Sequence, residues 1–243
     1  MKALFISDLH LGEEHPETLA AFDALIDGPA RGVDTLYILG DLFEYWAGDD
    51  DDTALARHVA TRLRALADED GVAIWFLAGN RDFLIGEDYA ARAGLRLLAE
   101  PSEIDLDGQC VLLSHGDTLC TDDVAYQQYR AMVRDPAWQR DFLARPLAER
   151  RAIVDDLRAK SAESKQSKSM QIMDVNVSAV ETLLRAHGHP TLIHGHTHRP
   201  ARHVHHVDGR ECVRWVLPDW HDDAPYLLWD GAHGFVTGRI RPA

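Results

Sequence analysis

Five short polar clusters in this 243-residue chain hold side chains of the kinds that bind metal ions. Asp8 and His10 stand two apart, Asp41 follows Gly40, Asn80 follows Gly79, His115 precedes Gly116, and His196 and His198 again stand two apart. Imidazole nitrogens with carboxylate and amide oxygens suit first-row ions such as Mn, Fe or Zn better than Mg or Ca. Seven donors are too many for one ion that keeps a coordination position open. They suit two ions that share a bridging carboxylate. Such a pair, about 3.5–4 Å apart, clamps the attacking and leaving oxygens of a displacement at phosphorus and activates water. A single Asp-x-His or His-x-His is more often a solvated surface pair, and a single Gly-Asp a turn. Five clusters, each closing an apolar run, point to a metal centre.

Those runs are the elements that must position the donors. Residues 3–7, 35–39, 73–78, 110–114 and 191–193 are short and rich in Val, Ile, Leu and aromatics, which suits buried strands. Between them, 17–26 and 53–67 look helical; in the second, Leu55, Val59, Leu63 and Leu66 fall at helical spacing. Strands alternating with helices predict an α/β core. Ligands of open α/β sheets gather at the carboxyl ends of the strands, where all five clusters fall. Residues 214–220, 226–230 and 234–240 read as antiparallel strands that close the sheet. The stretch 122–170 breaks this rhythm with a helical pattern and no strand. It predicts a helical cap inserted into a core made of 1–121 and 171–243. Between 130 and 168 it carries ten basic side chains against six acidic ones, and it holds three of the four Lys in the chain.

The composition narrows the function classes. Hydrophobic residues at 46% and charged residues at 27% are ordinary for a globular protein with a full core. A net charge of −15 argues against a nucleic-acid partner, which needs a basic footprint. Cys110, Cys120 and Cys212 are odd in number without CxxC spacing, and read as free thiols of a reducing compartment. Met1-Lys2 runs straight into the first strand, leaving no room for a signal peptide, and no apolar run approaches the roughly 20 residues of a membrane span. A cytoplasmic protein, free or resting on a membrane from that side, is expected. The acidic run Asp49–Asp52 precedes the helix at 53–67 and is expected to act on its N-terminal dipole. His187, His189, His203, His205, His206, His221 and His233 read as surface or supporting residues, and His194 as a support for its ligand neighbours.

Taken together, Asp8-Leu9-His10, Gly40-Asp41, Gly79-Asn80-Arg81-Asp82, His115 and Gly195-His196-Thr197-His198 resemble the calcineurin-like metallophosphoesterase family, whose pattern is DxH, GD, GNH with a following acid, a lone His, and GHxH. The resemblance spans most of the chain. It implies a β-sandwich flanked by helices, one ion on Asp8, His10, Asp41 and His198, and a second on Asp41, Asn80, His115 and His196, with Asp41 as the bridge. One position departs from the family pattern. Where the family has a His that helps the leaving group depart, this chain has Arg81, which cannot give up a proton at neutral pH. An alkoxide leaving group, with a pKa near about 15.7 like that of water, gains greatly from an acid. A phosphate, with its last pKa near about 6, needs none. A guanidinium is instead shaped to hold phosphate oxygens in pairs. Arg81 therefore favours cleavage of a pyrophosphate over an alcohol ester, unless it merely pairs with Asp82.

The motifs flanked by Leu42 to Trp46, Phe83-Leu84 and Arg199-Pro200, with residues 161–176, are similar to the branch of that family that cleaves acylated nucleotide-sugar pyrophosphates in lipid A biosynthesis. This implies Mn²⁺ as the ion and contact with the cytosolic face of the bacterial inner membrane as a peripheral protein. It also implies substrate contacts at Asn80, Arg81, Asp123, Ser161, Lys165, Lys168 and His196, with Arg81 the catalytic side chain. Candidates for the acyl cleft are Tyr126, Tyr129, Met132, Trp138, Phe142, Leu143, Leu147, Ile153 and Met173. No protein partner is implied. The competing readings are another enzyme of the family, such as a nucleotide diphosphatase or cyclic nucleotide phosphodiesterase, and a non-catalytic scaffold, which has no need of a full ligand set.

Overall fold

The computed structural model describes the backbone of residues 1–167 and 174–242, and the side chains of 1–157 and 174–242. Strands β1 (Lys2–Ile6), β2 (Thr35–Ile38), β3 (Ala73–Leu77) and β4 (Leu95–Leu98) run parallel, each pair joined through a helix: α1 (Pro16–Asp27), α2 (Ala54–Glu69) and α3 (Glu87–Ala93). Antiparallel β10 (Ala224–Asp230) and β11 (Gly234–Ile240) extend this sheet beyond β1, giving the order β11-β10-β1-β2-β3-β4. A second sheet comprises β5 (Ser102–Leu106), β6 (Gln109–Leu113), β7 (Thr191–His194), β8 (Ala201–Val207) and β9 (Arg210–Val216), in the order β5-β6-β7-β9-β8. Its three central strands are parallel and its two edges antiparallel.

Alternation along the strands builds the layers. On β1, Ala3 and Phe5 face the second sheet, where they meet Val111, Leu113 and Ile193; Leu4 and Ile6 face the helices with Phe22, Leu25, Val59 and Leu63. Phe5 stacks on Tyr37 with ring centroids 5.0 Å apart, anchoring the inter-sheet layer. On the far side of the second sheet, Leu112, Leu192 and Val207 pack under Val180 and Leu184 of α7 (Val177–Ala186). The helices start where short polar side chains can take the free backbone N–H groups. Thr53 accepts from Ala56 N on α2, and Asn176 accepts from Ala179 N on α7. Gly94, at φ 71°, ends α3.

Residues 124–167 hold three helices: α4 (Val124–Val133), α5 (Pro136–Leu143) and α6 (Leu147–Ser167). The acidic run Asp49–Asp52 ties them to the sandwich, and at its end Asp52, next to the Thr53 cap, pairs with Arg57 in the first turn of α2. Asp50 and Asp51 pair with Arg150 and Arg151 of α6. Asp49 accepts from Gly86 N and Tyr89 N at the start of α3, at 3.0 and 2.9 Å. The late antiparallel strands divide between two sheets, β9 to the second and β10 and β11 to the first. Among the described residues, no helix is long and apolar enough to cross a membrane.

Phe5 is completely buried between the sheets. Phe5→Ala is expected to lower stability by about 3–5 kcal/mol, the range for emptying a large core position. Urea unfolding followed by circular dichroism checks this. The midpoint should fall with an unchanged slope.

Candidate metal centre

Each polar cluster sits where a strand ends, and the backbone there adopts a conformation that few residues tolerate. Asp8 (φ 56°), His10 (50°), Asp41 (52°), His196 (67°) and His198 (53°) are all left-handed. Such positions cost roughly 1–3 kcal/mol each in residues other than Gly, and Asp and His are among the least disfavoured. They fold each loop back over the end of its sheet. The loops are then laced together: Asp8 N donates to Gly40 O at 3.0 Å, His10 N to Asp41 O at 2.9 Å, and Gly195 N to His115 O at 2.9 Å. The motif glycines make room for this convergence. A Cβ on Gly79 would strike the Asp41 carboxylate, and one on Gly195 would strike both Ser7 Oγ and Asp8 Oδ2.

The seven side chains anticipated from the sequence come together. Asp8, His10 and His198 form one group and Asp8, Asp41 and His115 another, the donor atoms of each lying within 4.8 Å of one another. Asp41 turns Oδ2 toward His10 Nε2 (3.8 Å) and Oδ1 toward His115 Nε2 (3.7 Å), so its two oxygens face the two halves. Asn80 Oδ1 lies 2.9 Å from His115 Nε2 and 2.7 Å from His196 Nδ1.

The protonation pattern of these atoms tests whether cations fit. His115 Nδ1 is 2.9 Å from the Leu39 carbonyl and must donate to it, which leaves Nε2 without a proton in the neutral ring. His10 Nδ1 faces Glu44 Oε2 at 2.9 Å and His198 Nδ1 faces Asp219 Oδ2 at 3.2 Å, so in the neutral rings both Nε2 atoms, 3.3 Å apart, are bare and face inward. Asp8 is fully buried; its Oδ1 lacks a well-directed hydrogen bond and lies 3.3 Å from His198 Nε2. Lone pairs aimed at lone pairs need a proton or a metal ion between them. The residues fit a metal.

The charges agree. Burial pulls the His115 imidazole down, yet Asp41, Asp8 and Asp117 outweigh it and hold the ring up at about 9. For His198, burial is again outweighed, here by hydrogen bonds to Asp219 and Asp8, and the ring stands at about 10. Burial and the neighbouring His115 charge bring His196 down to about 4. Without ions, the carboxylates keep two rings protonated in place of the missing positive charge.

Other side chains surround and support the donors. Glu44 and Asp219 orient His10 and His198; Ser7 donates to Asp8 Oδ2 at 2.5 Å. Asp82 is fully buried and accepts from Gly79 N at 2.9 Å and Leu42 N at 2.7 Å, bracing the turn that carries Asp41. It therefore does not neutralise Arg81, whose NH1 instead lies 3.7 Å from Glu44 Oε1. His194 is buried, with Nε2 3.0 Å from Arg214 NH1. Glu44 stands within the quoted motif, but Asp219 lies in a stretch whose pattern announced only strands.

Of the expected substrate contacts, Asn80, Arg81 and His196 lie at the cluster. Asp123 caps α4, accepting from Tyr126 N at 3.1 Å. Ser161 and Lys165 lie on the α6 backbone with side chains outside the described residues, and Lys168 and Met173 lie outside them altogether. Phe142 is buried with Trp138 stacked on it at 5.1 Å, and Trp138 and Ile153 pack on the helix-side core, so these three are packing residues. Met132 and Leu143 are exposed, and the Tyr126 ring lies 5.8 Å from that of His196.

This arrangement of fold and donors is that of a phosphoesterase, and the profile of the calcineurin-like phosphoesterases matches residues 1–200: the chain belongs to that family. Relatives narrow the comparison. The UDP-2,3-diacylglucosamine hydrolase of Aromatoleum aromaticum is 66% identical over 240 residues, covering 99% of this chain and 98% of its own length. That of Stenotrophomonas maltophilia is 51% identical, covering 95% of each. Among solved structures, the Escherichia coli phosphoesterase Yfce matches with a TM-score of 0.45 at 17% identity over the full length of both chains.

Two outcomes are expected of metal binding. An imidazolium must lose its proton to become a ligand, so below about 9–10, the positions of His115 and His198, metal competes with protons. Apparent affinity for Mn²⁺ should therefore rise from pH 7 to pH 9, with protons released on binding, as titration calorimetry in buffers of different ionisation enthalpy would read. Asp219→Asn should weaken Mn²⁺ affinity about 10–100-fold by loosening His198. An unchanged affinity would remove Asp219 from that role.

Proposed function

We propose that this chain hydrolyses the pyrophosphate bond of UDP-2,3-diacylglucosamine, giving UMP and 2,3-diacylglucosamine 1-phosphate, as a step of lipid A biosynthesis. The substrate is taken from the end-to-end relatives, and the chemistry from the site. The observation that carries the reading is Arg81. Its backbone N donates to Asp41 Oδ1 at 2.8 Å, which ties it to the donor cluster. Its side chain is largely buried, and its Nε has no hydrogen-bond partner among the described residues. A buried guanidinium with an unused donor beside a metal-type cluster suits an anionic oxygen of the substrate.

In this reading Asp8, His10, Asp41 and His198 would hold one divalent ion, and Asp41, Asn80, His115 and His196 the other, with Mn²⁺ an ion suited to such ligands. When bound, the ions activate water and offset charge on the phosphorus oxygens. The chain's own groups do the rest. Leu39 O, Glu44 and Asp219 keep His115, His10 and His198 in the tautomer that turns Nε2 inward. Arg81 holds the oxygens of the departing sugar phosphate, which leaves without a proton donor. Residues 122–170 act as a cap on the core of 1–121 and 171–243. There Asp123, Ser161, Lys165 and Lys168 reach the polar part of the substrate, and apolar cap residues reach its acyl chains. The exposed Val124, Met132 and Leu143 of the cap support its reversible contact with the cytosolic side of the inner membrane.

Release of UMP from the diacyl nucleotide sugar, assayed beside UDP-glucose and cyclic AMP, tests the substrate. Equal turnover of cyclic AMP would overturn it. Arg81 is tested by substrates of graded leaving-group pKa. Arg81→Ala should lose about 10²–10³ in rate on the pyrophosphate, the scale for one preorganised transition-state donor. Arg81→Lys should keep part of the activity, since charge remains while the paired geometry is lost. Arg81→His should gain relatively more on alkyl phosphodiesters. Wild-type rates as high on poor alkoxide leaving groups as on phosphates would refute the role given to Arg81.

A further inference from the structure

Strand β3 ends at Leu77 and β6 at Leu113, so the main chain has left the sheets before it reaches Asn80 and His115. Its polar groups there need other partners. On the first loop, Arg134 NH2 donates to Ala78 O at 3.3 Å and to Gly79 O at 2.9 Å. The Arg134 guanidinium also lies over the Phe83 ring, 5.1 Å from its centroid, and so touches the loop on both sides of Asn80 and Arg81. On the second loop, His115 N and Ser114 Oγ both donate to Glu100 Oε1 at 2.9 Å. The other Glu100 oxygen accepts from Arg130 NH2 at 2.8 Å, and Arg130 Nε donates to Asp117 Oδ2 at 2.8 Å.

Arg130 lies in the last turn of α4 and Arg134 just beyond its end, one helical turn apart and on one face. Between them they serve both sheets, Arg134 the loop after β3 and Arg130 the loop after β6. Gln127 of the same helix donates to Asp117 O at 2.8 Å and to Cys120 O at 3.1 Å, and the Tyr126 ring lies 5.8 Å from that of His196. These contacts are one-sided. They reach the chain that carries Asn80 and His115, and the ring of His196. Among the described residues, no side chain of α4 hydrogen-bonds to Asp8, His10 or His198.

We propose that Arg134 and Arg130 are positioning residues of the ion site formed by Asn80, His115 and His196, so that α4 serves one half of the metal centre and not the other. Arg134 fixes the carbonyl of the peptide from which Asn80 extends. Arg130 acts through Glu100, which fixes the point where His115 leaves β6. Asn80 Oδ1 and His115 Nε2 lie 2.9 Å apart although their loops belong to different sheets, and α4 holds both loops. Order in α4 and binding of that ion are then linked in both directions. The inference rests on the ligand assignment of the proposed function, which the metal content of His115→Ala tests separately.

The test uses the full chain and two metals. Arg134→Met strands only carbonyls that water can satisfy, and it should weaken one of two Mn²⁺ sites about tenfold in calorimetry, the lower end of the range for residues behind a metal ligand. The other site should keep its affinity. With diamagnetic Zn²⁺ and ¹⁵N-labelled histidine, the His115 and His196 signals of the variant should need more metal than in wild type, while those of His10 and His198 should not. Arg134→Lys should recover most of the loss, since a carbonyl needs one donor and not a fork. Arg130→Met should weaken the same site as Arg134→Met. Hydrogen exchange gives a reading on wild type alone: Mn²⁺ should slow exchange of the α4 amides. An Arg134→Met protein with both sites unchanged, or both weakened alike, would overturn the proposal, as would α4 amides indifferent to Mn²⁺ in wild type. If His115→Ala retains both ions, the ligand assignment fails and takes this inference with it.

Discussion

Four aspartates, Asp8, Asp41, Asp82 and Asp117, are buried at one end of this sandwich, and negative charge out of water must be balanced where it stands. Much of the architecture follows from that requirement. Asp82 is balanced by backbone N–H groups, with burial and the Asp41 charge pushing its carboxyl up to about 6. Asp117 is balanced by Arg130 and Tyr126. Asp8 and Asp41 meet imidazoles instead, and imidazoles are groups that can exchange a proton for a metal. The two kinds of balance divide the region into a fixed frame and an exchangeable centre.

The frame depends on a sandwich whose strands end at one level. Parallel β1, β2 and β3 place Asp8, Asp41 and Asn80 side by side, and parallel β6 and β7 do the same for His115 and His196 across the gap between sheets. The inter-sheet layer of Phe5, Tyr37, Val111 and Ile193 fixes that gap. A change in packing there would move one half of the donor set against the other, so the apolar layer is part of the metal chemistry although it touches no donor.

How much of this was legible in the sequence depended on whether a residue's role was local. Asp8, His10, Asp41, Asn80, His115, His196 and His198 each follow an apolar run, and a strand followed by a polar tip can be read without knowing what lies opposite. The helices at 17–26 and 53–67 and the strands before the donors were legible for the same reason. What could not be read was pairing across the chain. Glu44 supports His10 from 34 residues away, and Asp219 supports His198 from a stretch that reads as ordinary strand. Strands β4, β5 and β8 are short or largely exposed edge elements whose patterns are weak. In the Asp49–Asp52 run the helix neighbour was legible, but Arg150 and Arg151, the partners of Asp50 and Asp51, lie 100 residues on.

The left-handed backbone at five of the seven donors has a consequence for how such a protein changes over generations. At φ near 50–67°, glycine is the residue the main chain prefers. Mutation to glycine at Asp8, His10, Asp41, His196 or His198 would relieve backbone strain and, at the aspartates, remove a buried charge. Foldedness therefore protects the three histidines little, whereas Asp8 and Asp41 also accept from His196 N and Arg81 N and are held in part by the fold. For the histidines, selection that screens only for abundance or heat resistance would not oppose their loss; selection for turnover would.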